Sequence, residues 1–135
     1  MEIYFVEKEE IYKSYHIICL FVGNHRCGYI GLLNGHKLEN KGYEDIDLEI
    51  HGGLTYASND FPFKKEGYNY YIGFDCAHYD DGYDVEMILK HNPNADVRFY
   101  NKMNAYDEIT IKTVGFVMEE LKNGVNQLME DCNES

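Results

Sequence analysis

The hydrophobic positions of this chain fall into two regimes. Through residue 77 they come in short runs and alternations closed by glycine and asparagine, the pattern of strands. From about Tyr106 to Met129 the repeat lengthens to that of a helix. Residues 15–22 read as a buried strand ended by Gly23-Asn24, and Cys27 to Leu33 as a second, followed by an Asn34-Gly35 turn. Lys37 to Gly42 reads as loop. Asp47 to Tyr56 alternates like a strand interrupted by a Gly52-Gly53 bend. Asn59 to Gly67 is loop, and Tyr70 to Ala77 is the best core strand. Asp80 to Asp84 breaks it, Val85 to His91 suits a short helix or turn, and Asn92-Pro93-Asn94 breaks the chain again.

In the last stretch Ile111, Val114, Met118, Leu121, Val125, Leu128 and Met129 share one stripe. Asp107 and Glu108 sit where they would complement a helix N-terminus. Gly115 and Gly124 each weaken such a helix by about 1 kcal/mol, and Gly124 is the expected point of a split. Together these patterns predict an α+β fold of one domain spanning residues 1–135. A mostly antiparallel β-sheet is covered by one long C-terminal amphipathic helix.

Charge narrows the partners. The chain carries 12 Lys and Arg against 24 Asp and Glu, a formal net charge of −12. Nothing longer than two adjacent cations interrupts that excess, so no nucleic acid and no anionic membrane surface is expected as a partner. No apolar run is long enough to span a bilayer. The polar N-terminal residues give the expectation of no signal peptide, and the four cysteines (Cys19, Cys27, Cys76, Cys132) form no paired spacing. Reduced thiols in a cytoplasm are the expected state.

Two segments carry chemistry. His51-Gly52-Gly53-Leu54-Thr55-Tyr56 and Gly73 through Asp81 set ionisable side chains beside glycines within strand-like runs. Glycine weakens a strand, and a histidine or aspartate near a core needs a partner, so both segments are expected to line one pocket. The Gly52-Gly53 backbone suits an anion, Thr55 adds a hydroxyl, and Tyr56 a ring for stacking. Asp75 and His78 fall on opposite faces of a regular strand, so a bend near Ala77 is required to unite them. Asp80 and Asp81 are equal candidates for the pocket. Arg26, one of only two arginines, is the natural phosphate partner, with His36 nearby in sequence. His51, Cys76, His78 and one of the two aspartates offer zinc-like donors. No spacing among them matches a zinc signature, so no metal or cofactor is expected. Cys76 lies among apolar neighbours, where burial raises a thiol's pKa, and reads as a packing residue.

Assembled, the motifs resemble a family of small, mostly phage-encoded proteins. The resemblance rests on Asn24 through Tyr29, His36, His51 through Tyr56, and Gly73 through His78 with Asp81, over roughly residues 23–82. It departs at Lys37, where proline is the family's residue. By analogy, small phage proteins of this kind include sponges for nucleotide immune signals, such as the ADP-ribose derivatives made by TIR proteins of Thoeris defence. They also include enzymes that cleave the cyclic dinucleotides of CBASS.

The resemblance implies an anti-defence protein in the host cytoplasm that sequesters a nucleotide-derived signal. The ligand set expected from the residues themselves is Arg26, His36, His51, Gly52, Gly53, Thr55, Tyr56, Asp75, His78 and Asp81, with a homo-oligomer expected to close the pocket. Two alternatives stand beside it. One is a phosphodiesterase-like enzyme with His51 and His78 as acid and base. The other is an acidic inhibitor of a host protein.

Overall fold

The computed structural model describes residues 4–133. Five strands form one antiparallel sheet: β1 (Phe5–Tyr12), β2 (Tyr15–Phe21), β3 (Arg26–Leu33), β4 (Tyr56–Ser58) and β5 (Tyr68–Asp75), in the spatial order β1-β2-β3-β5-β4. A two-residue strand β6 (Asp81–Gly82) leads into helices α1 (Val85–His91) and α2 (Arg98–Asn104). Strand β7 (Thr110–Ile111) then pairs in parallel with β6 and feeds the long helix α3 (Val114–Asn133). The predicted α+β architecture is present, with α3 packed on the sheet.

Both faces of the sheet are covered, which is why β2 is buried at every position instead of alternating. On one face Ile17, Cys19, Ile30, Ile72 and Phe74 meet Val117, Leu121, Val125 and Leu128 of α3. On the other, Ile18, Leu20 and Tyr71 pack against Phe61 from the loop before β5.

Strand β1 carries no apolar signal of its own, yet it pairs with β2 along its length. Its carboxylates are employed as tethers. Glu7 pairs with Arg26, Glu9 with His16, and Glu10 with Lys122.

Three expectations are corrected. The stretch from Asp47 to Thr55 is not a strand; it is an extended segment with a turn at His51-Gly52. Its alternation is real, because Ile46, Leu48 and Ile50 pack into the core beneath α3. The backbone partners of Glu49 and His51, however, are helix side chains. Gln127 brackets Glu49 by accepting its N–H (2.8 Å) and donating to its carbonyl (2.7 Å), and Glu120 accepts the His51 N–H (2.8 Å).

The C-terminal helix begins at Val114, not Tyr106, because the Thr113 hydroxyl caps it by accepting the Phe116 N–H at 3.2 Å. Asp107 and Glu108 therefore precede the helix, and Ile111 is exposed in β7. Nor does Gly124 split α3. It lies where the helix presses on the sheet, and a Cβ there would stand 3.1 Å from Ile30 and 3.4 Å from Ile50. Contact, not a break, is what this glycine permits. Helix α2 was not legible in the hydrophobic pattern.

Candidate functional site

The strand registers place Phe5, Phe21, Arg26, Tyr56 and Asp75 at one end of the sheet. The chain turns just beyond that end. After Asp75 it leaves β5 through a bend at Cys76 and a turn over 78–80, the departure from strand geometry that uniting Asp75 with His78 required. Asp75 holds the bend by accepting the Ala77 N–H at 3.1 Å, and it accepts the Thr55 hydroxyl at 3.1 Å. Thus the two predicted segments meet side chain to side chain.

Asp81 is the centre of the cluster. Its carboxylate is fully buried, and four donors converge on it. His51 Nε2 stands 2.9 Å from Oδ1, and His78 Nδ1 3.0 Å from Oδ2. The His78 backbone N–H donates at 3.0 Å, and Lys112 Nζ lies at 3.1 Å. Burial alone would raise the Asp81 pKa. The hydrogen bonds from the His78 N–H, His51, Lys112 and the His78 ring outweigh it and hold the carboxyl down at about 2. Of the two adjacent aspartates, Asp81 is the one turned inward.

Both imidazoles are fixed from outside as well. Phe74 and Phe116 meet the His51 ring edge-on, at centroid distances of 6.1 and 5.2 Å. The His78 ring lies on the Gly52 peptide so closely that a Cβ on Gly52 would fall inside it. Gly52 also has φ +68°, so glycine is required there twice over. On its far side, His78 Nε2 faces Asp75 Oδ1 at 3.9 Å.

Two expected members do not join this site. Arg26 lies near it but is buried and committed. Its Nε donates to Glu7 at 2.7 Å, its Nη2 to Asp84 at 2.8 Å, and its Nη1 to the Lys112 carbonyl at 3.0 Å. Those carboxylates raise its pKa despite burial, and its guanidinium cross-links β1, the start of α1 and the start of α3. His36 follows β3 at the opposite end of the sheet, where it bonds the Tyr15 hydroxyl at 2.9 Å. The Gly53 N–H is also not free for an anion, since it donates to the Ile50 carbonyl at 2.8 Å within the turn. Lys112 is the member that the sequence motifs missed. Parallel pairing of β7 with β6 brings it there, and no local signal announces that pairing.

Beside the cluster, and sharing Thr55 and Asp75 with it, lies an open cleft of about 330 Å³. Tyr29 and Tyr56, packed edge to face at 5.2 Å, line it together with Tyr4 and His25. Burial lowers the His25 pKa, favouring the neutral ring. Cys27 on the same wall is pushed up to about 12 by burial, and burial raises Cys76 as well, so neither is a ready nucleophile.

Comparison with protein-family models, with curated proteins and with solved structures finds no match to this chain. No helix among the described residues is long and apolar enough to cross a membrane.

Proposed function

We propose that the protein binds a small nucleotide-derived ligand, gripping it by its nucleoside part in the cleft between Tyr56 and Asp75. The observation that supports this reading is the join between the two glycine-histidine segments. The Thr55–Asp75 bond makes one wall of a cleft whose other walls include the rings of Tyr4, Tyr29 and Tyr56. Each Asp75 oxygen has accepted one protein donor and keeps capacity for a ligand hydroxyl, while the rings offer faces and edges to a base. The volume suits a small organic molecule, for which pockets of roughly 300–1,000 Å³ are usual. With Arg26 committed elsewhere, hydroxyl and ring recognition is favoured over a clamp on bare phosphate. The motif resemblance supports an immune signal as the nucleotide and a phage anti-defence role as the purpose.

A second reading has its own observation. Asp81 orients both imidazoles, leaving His51 Nδ1 and His78 Nε2 to take and give protons in cleavage of the same ligand.

One experiment separates them. The protein is incubated with a panel of ADP-ribose derivatives and cyclic nucleotides, recovered by filtration, heated, and its released contents analysed. Intact ligand supports sequestration, a converted ligand supports the histidine chemistry, and no depletion of any compound overturns both. Asp75→Ala and Tyr56→Ala are each expected to weaken capture at least tenfold without unfolding the protein.

A further inference from the structure

We propose that His51, His78 and Asp81 form a binding site for one divalent transition-metal ion of the zinc type. Their donor atoms all lie within 4.8 Å of one another. Measured to the one oxygen Oδ2 of Asp81, His51 Nε2 stands at 3.1 Å and His78 Nδ1 at 3.0 Å, close to the span of about 3.3 Å between neighbouring ligands of a tetrahedral ion with bonds near 2.0 Å. Two imidazoles and one carboxylate leave a position open for water or an exogenous group. This donor set favours zinc or iron over magnesium or calcium, which prefer all-oxygen surroundings.

The surroundings carry the inference further than the triad alone. Ligands of a metal are held from behind by outer partners, and both His78 and Asp81 have them. Asp75, itself fixed by Thr55 and the Ala77 N–H, faces the second nitrogen of His78 at 3.9 Å, an ion-pair contact on the side where metal-bound imidazoles commonly have a carboxylate. Glu120 fixes the His51 backbone. The His78 N–H and Lys112 each bond one Asp81 oxygen and orient the carboxylate. Lys112 also donates to the Thr110 hydroxyl and carbonyl, so it stays anchored when an ion shares Asp81.

No zinc signature marks this set in the sequence, because its two histidines come from a loop turn and a strand exit 27 residues apart. The proposal is independent of the nucleotide reading, since its test needs no nucleotide.

The tag-free full-length chain, stripped with chelator, is titrated with zinc chloride, desalted, and analysed for metal content and affinity. The expected result is one zinc per chain. His51→Gln and His78→Gln are each expected to lower the affinity at least 100-fold, and Asp75→Asn by about 10- to 100-fold, the usual scale for an outer partner. Cys76→Ser is expected to bind as the parent does. Circular dichroism verifies that each variant folds. Ring-nitrogen NMR of the unmodified protein supplies a measurement that needs no variant: zinc should move His51 and His78 while leaving His16 and His36 in place. Retention well below one ion per chain, unchanged affinity in both histidine variants, or unmoved His51 and His78 resonances overturns the proposal.

Discussion

At the scale of single residues, the Arg26 guanidinium joins three parts of the chain by donating to Glu7, Asp84 and the Lys112 carbonyl. Arg26 is scarce in the composition and sits in a motif, so it reads as a free anion ligand. Its partners Glu7 and Asp84 lie 19 and 58 residues away in sequence, beyond any local pattern. Losing the guanidinium would leave two acidic groups facing each other and an unmet carbonyl. Arg26→Met is therefore expected to cost about 3 kcal/mol in denaturant unfolding. A loss below about 1 kcal/mol would show the cross-link to be dispensable. His51, Asp75, His78 and Asp81, by contrast, could be read from glycine set beside ionisable groups. Gly52→Ala tests why: the methyl group collides with His78 at an already unfavourable φ. Destabilisation above about 1 kcal/mol is expected, with displaced His78 resonances.

Elements were legible where one physical demand dominated. Core strands β2, β3 and β5 and the stripe of α3 are fixed by burial, which the apolar pattern reports directly. The 47–55 segment misleads because packing under a helix produces the same alternation as sheet pairing. Strand β1 hides because its residues answer to ion pairs more than to burial. Glycine in a helix is likewise ambiguous until its neighbours are known, and α3 contains both cases. Gly115 is exposed with nothing nearer to a new Cβ than 3.7 Å, so Gly115→Ala should stabilise by about 0.5–1 kcal/mol. Gly124 is buried against Ile30, so Gly124→Val should destabilise by about 1–3 kcal/mol through overpacking. Thermal melts of the two variants should move in opposite directions.

For the whole molecule, burial of neutral acids sets an alkaline limit. Burial pushes Cys19 and Cys27 from 9.0 up to about 12, and Tyr71 up to about 12. The native state then keeps protons that the unfolded chain releases. This stabilising contribution is complete below pH 9 and is lost progressively as pH rises from about 9 toward 12. Unfolding midpoints should fall across that window. At pH 8 in a Cys132→Ser background, a thiol reagent should label native protein far more slowly than denatured protein. Rapid native labelling would contradict the burial of Cys19, Cys27 and Cys76.

Lys112 belongs to two networks at once: its carbonyl accepts from Arg26, and its ammonium donates to Asp81. The N-terminal edge strand is thereby wired to the histidine pair through Glu7, Arg26 and Lys112. Glu7→Gln and His51→Gln should consequently be non-additive in stability, with a coupling of about 0.5 kcal/mol or more in a double-mutant cycle. Among the described residues strand β1 has one neighbour in the sheet, so a partner strand added to its outer edge should alter the stability of the Asp81 network as the Glu7 substitution does.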